Sequence, residues 1–466
     1  MTAAAGAPPA KINIARLAFT SLAASSVEWY DFFIYGTAAA LVFPKLFFAA
    51  SLPPAVAQLA AFSTFAVGFI ARPVGGLVFG HFGDKVGRKK ALVTALLMMG
   101  LSTTAVGLLP SYAVAGVLSP LLLILLRFIQ GIAVGGQWGG AVLIAIENAP
   151  PRQRGFYGSF AQMGVPAGVV LANLIFLVMG ATVAPDSFLA WAWRIPFLLS
   201  LVLVGLGLYV QLKLEDTAEF QALQALEAKR QTAAATALAA EKSISLDRAR
   251  AMLRAEKGSP LLRVIARHPK EILLAAGSVV AANGTFYVMI TYAVAYSTAT
   301  LHVPRTTILW AVMLGSALSA PILPLTAWLS DRVGRRGVFM VGAVLAGLWS
   351  AWPFFHLLDT AVFPLMFAAI AGGLVFNNTM YGCQAALMTE LFSTEFRYSG
   401  ASMGYQIGAI CGGGFAPIIA TALFAHYHTS SAIAVYMVAL CVISLLSVFL
   451  LAETHSKKHR EAMGVA

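Results

Sequence analysis

Glu28 and Asp31 lie three residues apart within an apolar run from about residue 17 to 43, and Tyr35 follows one turn later. Residues three and four apart share a helix face, so the two carboxylates and the phenol form one polar stripe. An ionisable group at mid-membrane depth costs at least ~2.5 kcal/mol, which makes it a functional candidate by default. Three further stripes repeat the pattern: Arg127, Gln130 and Gln137; Asn283, Tyr287 and Thr291; Asn377, Tyr381 and Gln384. Together they offer a carboxyl whose hold on a proton its surroundings can tune, a cation, and amides and phenols that hydrogen-bond a polar solute. For the amides and tyrosines, hydrogen bonding between helices is the alternative reading. Glu28, Asp31 and Arg127 admit no such reading, because lipid exposure is excluded and unpaired burial is prohibitive. All four stripes can line one cavity, with Arg127 facing either a solute carboxylate or, with no solute bound, Asp31.

The elements that must hold these stripes follow from composition. Of 466 residues, 59% are hydrophobic and 11% charged, and the mean hydropathy is +0.81, far more apolar than a soluble domain. An all-α integral membrane protein is expected. Apolar stretches long enough to cross a bilayer fall near 17–42, 59–79, 91–109, 119–146, 155–180, 193–212, 271–298, 306–329, 338–357, 362–389, 399–425 and 431–452. Residues 1–16 lack a cleavage-like boundary, so the first span is expected to be retained.

The formal charge of +12 does not point to nucleic acid, because the basic residues alternate with the spans instead of forming one patch. They follow span 2 (Lys85, Arg88, Lys89, Lys90), span 4 (Arg152, Arg154), span 8 (Arg332, Arg335, Arg336) and span 10 (Arg397), and they fill the segment after span 6. Only Lys45 and Arg305 stand in loops of the other side. By the positive-inside rule both termini are expected in the cytoplasm. Cys383, Cys411 and Cys441 fall within spans without metal-like spacing, no histidine pair has ligand spacing within one element except His426 and His428, read as an exposed loop end, and no nucleotide-binding or hydrolase motif occurs. Neither an enzyme nor a metal or cofactor is expected, and any energy must come from a gradient.

The chain also repeats itself. Asp84, Gly87 and Arg88 after span 2 recur at one offset as Asp331, Gly334 and Arg335 after span 8, and Glu147 with Arg154 after span 4 corresponds to Glu390 with Arg397 after span 10. Twelve transmembrane helices in two pseudo-symmetric six-helix bundles are therefore expected: an N-terminal tail 1–16, a bundle 17–212, a cytoplasmic connector 213–270, a second bundle 271–452 and a tail 453–466. Such repeats place the binding site at their interface near the midplane, with one half rocking against the other. Gly80, Asp84, Gly87, Arg88, Glu147, Arg154, Asp331, Gly334, Arg335, Glu390 and Arg397 are the candidate cytoplasmic gate, the acids capping helix ends or pairing with arginine; enforcing topology is their alternative role. Leu246, Ala249 and Leu253, flanked by Arg248, Arg250 and Arg254, suggest an amphipathic helix on the membrane surface, or else a solvated tether.

The segment from Gly80 to Lys90 and Arg127-Phe-Ile-Gln-Gly131 resemble two signature motifs of the major facilitator superfamily. Glu28-Trp-Tyr-Asp-Phe-Phe-Ile-Tyr-Gly36, Ala71-Arg-Pro-Val-Gly-Gly76, Gly135-Gly-Gln-Trp-Gly-Gly-Ala141, Trp193-Arg-Ile-Pro-Phe197 and Phe396-Arg-Tyr-Ser-Gly-Ala401 resemble its metabolite:proton symporter family. The resemblance implies the major facilitator fold in a bacterial inner membrane. It implies import of a small polar metabolite with a proton, an organic acid such as shikimate or a dicarboxylate. Lipid, substrate and proton would be the partners of a monomer. Arg127 and Gln130 would fall on the motif associated with proton transfer. Relatives usually have glutamate where this chain has Gln137, an amide that cannot carry a proton. That leaves Glu28 and Asp31 as the candidate coupling acids, with a proton-uncoupled carrier or exchanger, or uptake of a zwitterionic osmolyte, as alternatives; a transporter-like sensor would need an output domain, which the short connector does not offer.

Overall fold

The computed structural model describes residues 14–86, 88–135, 149, 153–215, 229, 232–256, 267–392, 397–451 and 453. Among them, eight helices are long and apolar enough to cross a membrane: Pro54–Phe79, Leu118–Gly135, Arg154–Thr182, Pro269–Ala299, Arg305–Val333, Phe363–Glu390, Gly400–Tyr427 and Ser430–Leu450. Two shorter apolar stretches, Val93–Gly107 and Ala192–Gly205, belong to the helices Arg88–Gly107 and Ile195–Glu215, and Ile14–Leu41 and Arg335–Ala351 complete the twelve expected passes. In chain order these are α1 (Ile14–Leu41), α2 (Pro54–Val86), α3 (Arg88–Gly107), α4 (Leu118–Gly135), α5 (Arg154–Thr182), α6 (Ile195–Glu215), α7 (Pro269–Ala299), α8 (Arg305–Val333), α9 (Arg335–Ala351), α10 (Phe363–Glu390), α11 (Gly400–Tyr427) and α12 (Ser430–Leu450).

Packing repeats as the sequence does. In the first half α1 packs on α5, α2 on α4, and α3 on both α4 and α6; in the second, α7 packs on α11, α8 on α10, and α9 on both α10 and α12. The halves meet along α5 with α8 and α2 with α11, pairs that exchange under the same repeat. Lipid gives no hydrophobic drive between helices, so close backbone approach through small residues does that work. Gly131 on α4 faces the Gly68 carbonyl of α2, Gly135 faces the Arg72 carbonyl, and Gly164 and Gly168 of α5 leave no room for a side chain against Ser25 and Trp29 of α1.

The span expected at 338–357 is instead helical from Arg335 to Ala351 and restarts as a short helix at Pro353. Proline has no N–H to continue the ladder, and it disfavours helical geometry in the residue before it. α7 and α11 each contain a π-helical turn, at Val288–Tyr292 and Ile410–Gly414, the kind of irregularity often found at functional sites. The expected amphipathic segment is a helix, Leu246–Glu256, with Ala249 buried and exposed Asp247 and Arg250 paired at 3.6 Å. Gln137, Glu147 and Gly87 lie outside the described residues, as do the side chains at Gly80, Asp84, Arg88 and Arg397, the first residues of the N-terminal tail, most of the connector and nearly all of the C-terminal tail.

Candidate functional site

α1 presents different residues to different neighbours. Asp31 is fully buried and turns toward α3 and α6, where Thr103 and Ser200 are its polar neighbours; neither carboxylate oxygen has a hydrogen-bond partner. Gln130 on α4 donates its Nε2 to the Asp31 carbonyl (3.2 Å) and to Thr103 Oγ1 (2.8 Å), while its Oε1 accepts from Arg127 Nη1. One amide thus ties α1, α3 and α4 together beside a buried acid and a buried cation.

Arg127 is 0% exposed. Its guanidinium lies 4.2 Å from the ring centroids of Phe32 and Tyr35 and 4.9 Å from that of Phe65, the arrangement by which ring quadrupoles hold a desolvated cation. Gly68 makes the space, since a Cβ there would stand 2.5 Å from Arg127 Nε. Tyr35 offers its ring to Arg127 and donates its hydroxyl to Thr64 Oγ1 at 2.8 Å. The expected pairing of Arg127 with Asp31 is not present. Successive residues are turned by about 100° around a helix, and that turn sends Asp31 into the bundle while Phe32 covers the arginine.

A narrow cavity sits between the halves, lined by Trp29, Val165, Ala282, Asn283, Phe286, Tyr287, Asn377, Asn378, Tyr381 and Tyr405. The polar stripes of α7 and α10 reach it as expected, through Asn283, Tyr287, Asn377 and Tyr381. Tyr405 of α11 lies within hydrogen-bonding reach of Tyr381 and Asn283. Asn377 also donates Nδ2 to the Ala282 carbonyl (2.8 Å) and to Thr285 Oγ1 (2.9 Å), bracing α10 against α7. Among the described residues of α1 and α4, Trp29 lines this space, and Asp31, Tyr35, Arg127 and Gln130 stand behind the wall. Thr291 packs against Gly36, and Gln384 donates to the Ser278 carbonyl.

Sequence reasoning passed over Arg72, although it lies within the 59–79 span. It is 2% exposed and holds its guanidinium 4.5 Å from the centroids of both Phe32 and Phe69 and 5.7 Å from Trp29. Its charge reaches Glu28, which is partly buried, and the cavity tyrosines Tyr287, Tyr381 and Tyr405. The signal was present: an arginine followed by Pro73 in an apolar span. The stripe rule missed it because its partners are aromatic and, Phe69 apart, come from other helices.

At the end of the molecule carrying the α8–α9 junction, charged residues bond within the second half and across to the first. Arg335 pairs with Asp331 at 2.6 Å and, through a two-pronged contact, with Glu390 at 3.1 and 3.3 Å. The Asp331 carboxylate also accepts the backbone N–H groups of Gly155 (3.0 Å) and Phe156 (2.9 Å) at the start of α5, the end of a helix where negative charge is favoured. Further in, Gln162 of α5 donates to the Tyr381 carbonyl at 2.8 Å. Glu390 and Asp331 together compensate the buried Arg335 charge. Gly334 takes φ +109° between the two helices, and Glu453 caps α9 by accepting the N–H groups of Arg335 and Arg336. Arg154, expected in this gate, is partly buried with its Nε unpartnered.

Two repeated bundles around a cavity lined by aromatic and amide side chains, with buried charges at membrane depth and hydrogen bonds between the halves at one end, define a membrane transporter. Residues 17–464 match the family described as sugar (and other) transporter. The chain is 38% identical to the shikimate transporter of Escherichia coli strain K12 over 94% of each protein, and 39% identical to the inner membrane metabolite transport protein YhjE of the same strain over 94% of each. It is 33% identical to the proline/betaine transporter of that strain over 95% of this chain and 84% of that one. Among solved structures, the inward open conformation of the E. coli xylose transporter XylE superposes with a TM-score of 0.71 at 16% identity, covering 96% of this chain and 99% of the other. The D-xylose-proton symporter gives 0.70 at 16% identity, covering 95% and 98%; these two likenesses bear on the fold. The chain belongs to the sugar (and other) transporter family of the major facilitator superfamily.

Proposed function

We propose that this protein imports a small polar metabolite bearing a carboxylate, an organic acid such as shikimate or a dicarboxylate, together with a proton across a bacterial inner membrane. The observation that carries the coupling is Asp31, a fully buried carboxyl with neither oxygen hydrogen-bonded. As an anion that group bears a large desolvation cost, and binding a proton removes the charge. Gln130 links its backbone to Arg127, so its protonation state is coupled through one amide to a cation under the cavity wall. In this reading Glu28 is the second coupling acid, both termini and the 213–270 connector face the cytoplasm, the monomer is the working unit, and Asp331 with Arg335 and Glu390 form half of the cytoplasmic gate. Asp84, Arg88, Glu147 and Arg397 supply the other half by the repeat.

A second reading rests on the cavity itself. Trp29, Phe286, Tyr287, Tyr381 and Tyr405 all face it, and aromatic faces attract quaternary ammonium groups, so a zwitterionic osmolyte is the alternative substrate class. The proline/betaine relatives support it.

Purified protein in liposomes tests both. Shikimate, succinate and glycine betaine are offered under an imposed inward proton gradient. Accumulation of an acid that collapses with the gradient is expected, and Asp31→Asn and Glu28→Gln are expected to keep exchange while losing accumulation. Full accumulation in both variants refutes the coupling role, and uptake of betaine alone selects the second reading.

A further inference from the structure

Arg127 is the cation that sequence reasoning offers to a substrate carboxylate, yet it is committed elsewhere. Its Nη1 serves Gln130, and its guanidinium is enclosed by Phe32, Tyr35, Phe65 and Gly68. Arg72 occupies a different position. Like those of Arg127, its Nε and Nη2 donate to nothing, although the residue is 2% exposed; what sets it apart is its neighbours. It stands behind the cavity wall, with its guanidinium 5.7 Å from the ring of Trp29, which lines the cavity, and within reach of the Tyr287 hydroxyl on the opposite half. Phe69, one turn before it, packs against Gly413 and Gly414 of α11, so the arginine stands where the two halves part and close.

We infer that Arg72 is the carboxylate anchor of the cavity, a role that rests on the proposed transport of a carboxylate-bearing solute. With no solute bound, the faces of Phe32 and Phe69 hold the guanidinium, an interaction that asks for no hydrogen-bond partner. A carboxylate entering beside Trp29 and Tyr287 offers the two acceptors that a guanidinium fork matches, and such charge-assisted pairs are the stronger kind. Shikimate, a dicarboxylate and betaine all carry that group, so the anchor sets the shared chemistry and the aromatic wall sorts the remainder. Because the anchor lies on α2 and Tyr287 on α7, a bound carboxylate connects the halves and is read by both.

Binding to detergent-solubilised protein, without any proton gradient, tests the anchor apart from coupling. Shikimate, succinate and glycine betaine are compared with their methyl esters by ligand-induced thermal stabilisation and calorimetric titration. A free carboxylate is expected to bind wild type at least tenfold more tightly than its ester. Arg72→Gln is expected to erase that preference while leaving ester binding within twofold, and Arg72→Lys to restore part of it. Should Arg72→Gln not fold, Arg72→Lys is read alone and is expected to lose several-fold in carboxylate affinity only. Equal losses for acid and ester, an unchanged preference in the variant, or no carboxylate preference in wild type overturns the assignment. If the preference vanishes in Arg72→Gln but uptake ignores the gradient, the anchor stands and the symport reading falls.

Discussion

The carboxylate of Asp331 on α8 accepts the backbone N–H of Gly155 on α5 at 3.0 Å, and through this contact the second half of the repeat grips the first. The same carboxylate holds Arg335 at 2.6 Å, so one acid serves an ion pair within its own half and a helix terminus in the other. Opening this end must break the second contact while the first can persist.

Asp331→Asn tests that arrangement. Removing one member of a buried ion pair costs about 3–5 kcal/mol, because the other charge is left uncompensated. The thermal midpoint is expected to fall and uptake in liposomes to drop at least tenfold, with Arg335→Ala behaving alike. Unchanged stability and uptake would show that the junction does not hold the halves.

Gly334→Ala addresses the turn between α8 and α9. At φ +109° a Cβ is disfavoured, and an added methyl would stand 3.0 Å from the Glu453 carboxylate that caps α9. A loss of about 1–3 kcal/mol is expected from the strained backbone, measurable as a lower unfolding midpoint. Glu453→Ala, which removes the cap without strain, is expected to cost about 1 kcal/mol.

Gly68→Ala puts a methyl where the Arg127 guanidinium lies. Overfilling a packed site typically costs about 1–3 kcal/mol, and here the displaced group is also the cation stacked on Phe32 and Tyr35. Maximal uptake rate is expected to fall more than tenfold, whereas Gly76→Ala, where a Cβ would stand 3.6 Å from the Gly135 carbonyl, is expected to be near neutral.

Tyr35 separates two contributions of one side chain. Tyr35→Phe deletes the 2.8 Å hydrogen bond to Thr64 but keeps the ring over Arg127, and about 1 kcal/mol of stability with near-normal uptake is the expected result. Tyr35→Leu removes the ring face as well and is expected to reduce both. Equal effects from the two variants would show that the hydroxyl alone matters.

The sequence by itself determined that the chain is an α-helical membrane protein, because apolar runs of spanning length leave the backbone no other way to satisfy its hydrogen bonds. It also determined the repeat and the chemistry of the α8–α9 junction, where Asp331, Gly334 and Arg335 act on neighbours a few residues away. Within α7 and α10, Asn283, Tyr287, Asn377 and Tyr381 line the cavity between the halves, whereas Thr291 and Gln384 of the same stripes do not. Only the tertiary structure decided which way α1 and α4 turn. A helical period fixes the angle between Glu28, Trp29 and Asp31, but not the direction in which that set points, and it was Trp29 that met the cavity while Asp31 entered the bundle. Arg72 emerged in the same way: its surroundings are Trp29, Phe32, Phe69 and Tyr287, drawn from three helices, and no spacing along one chain segment encodes a contact assembled by packing.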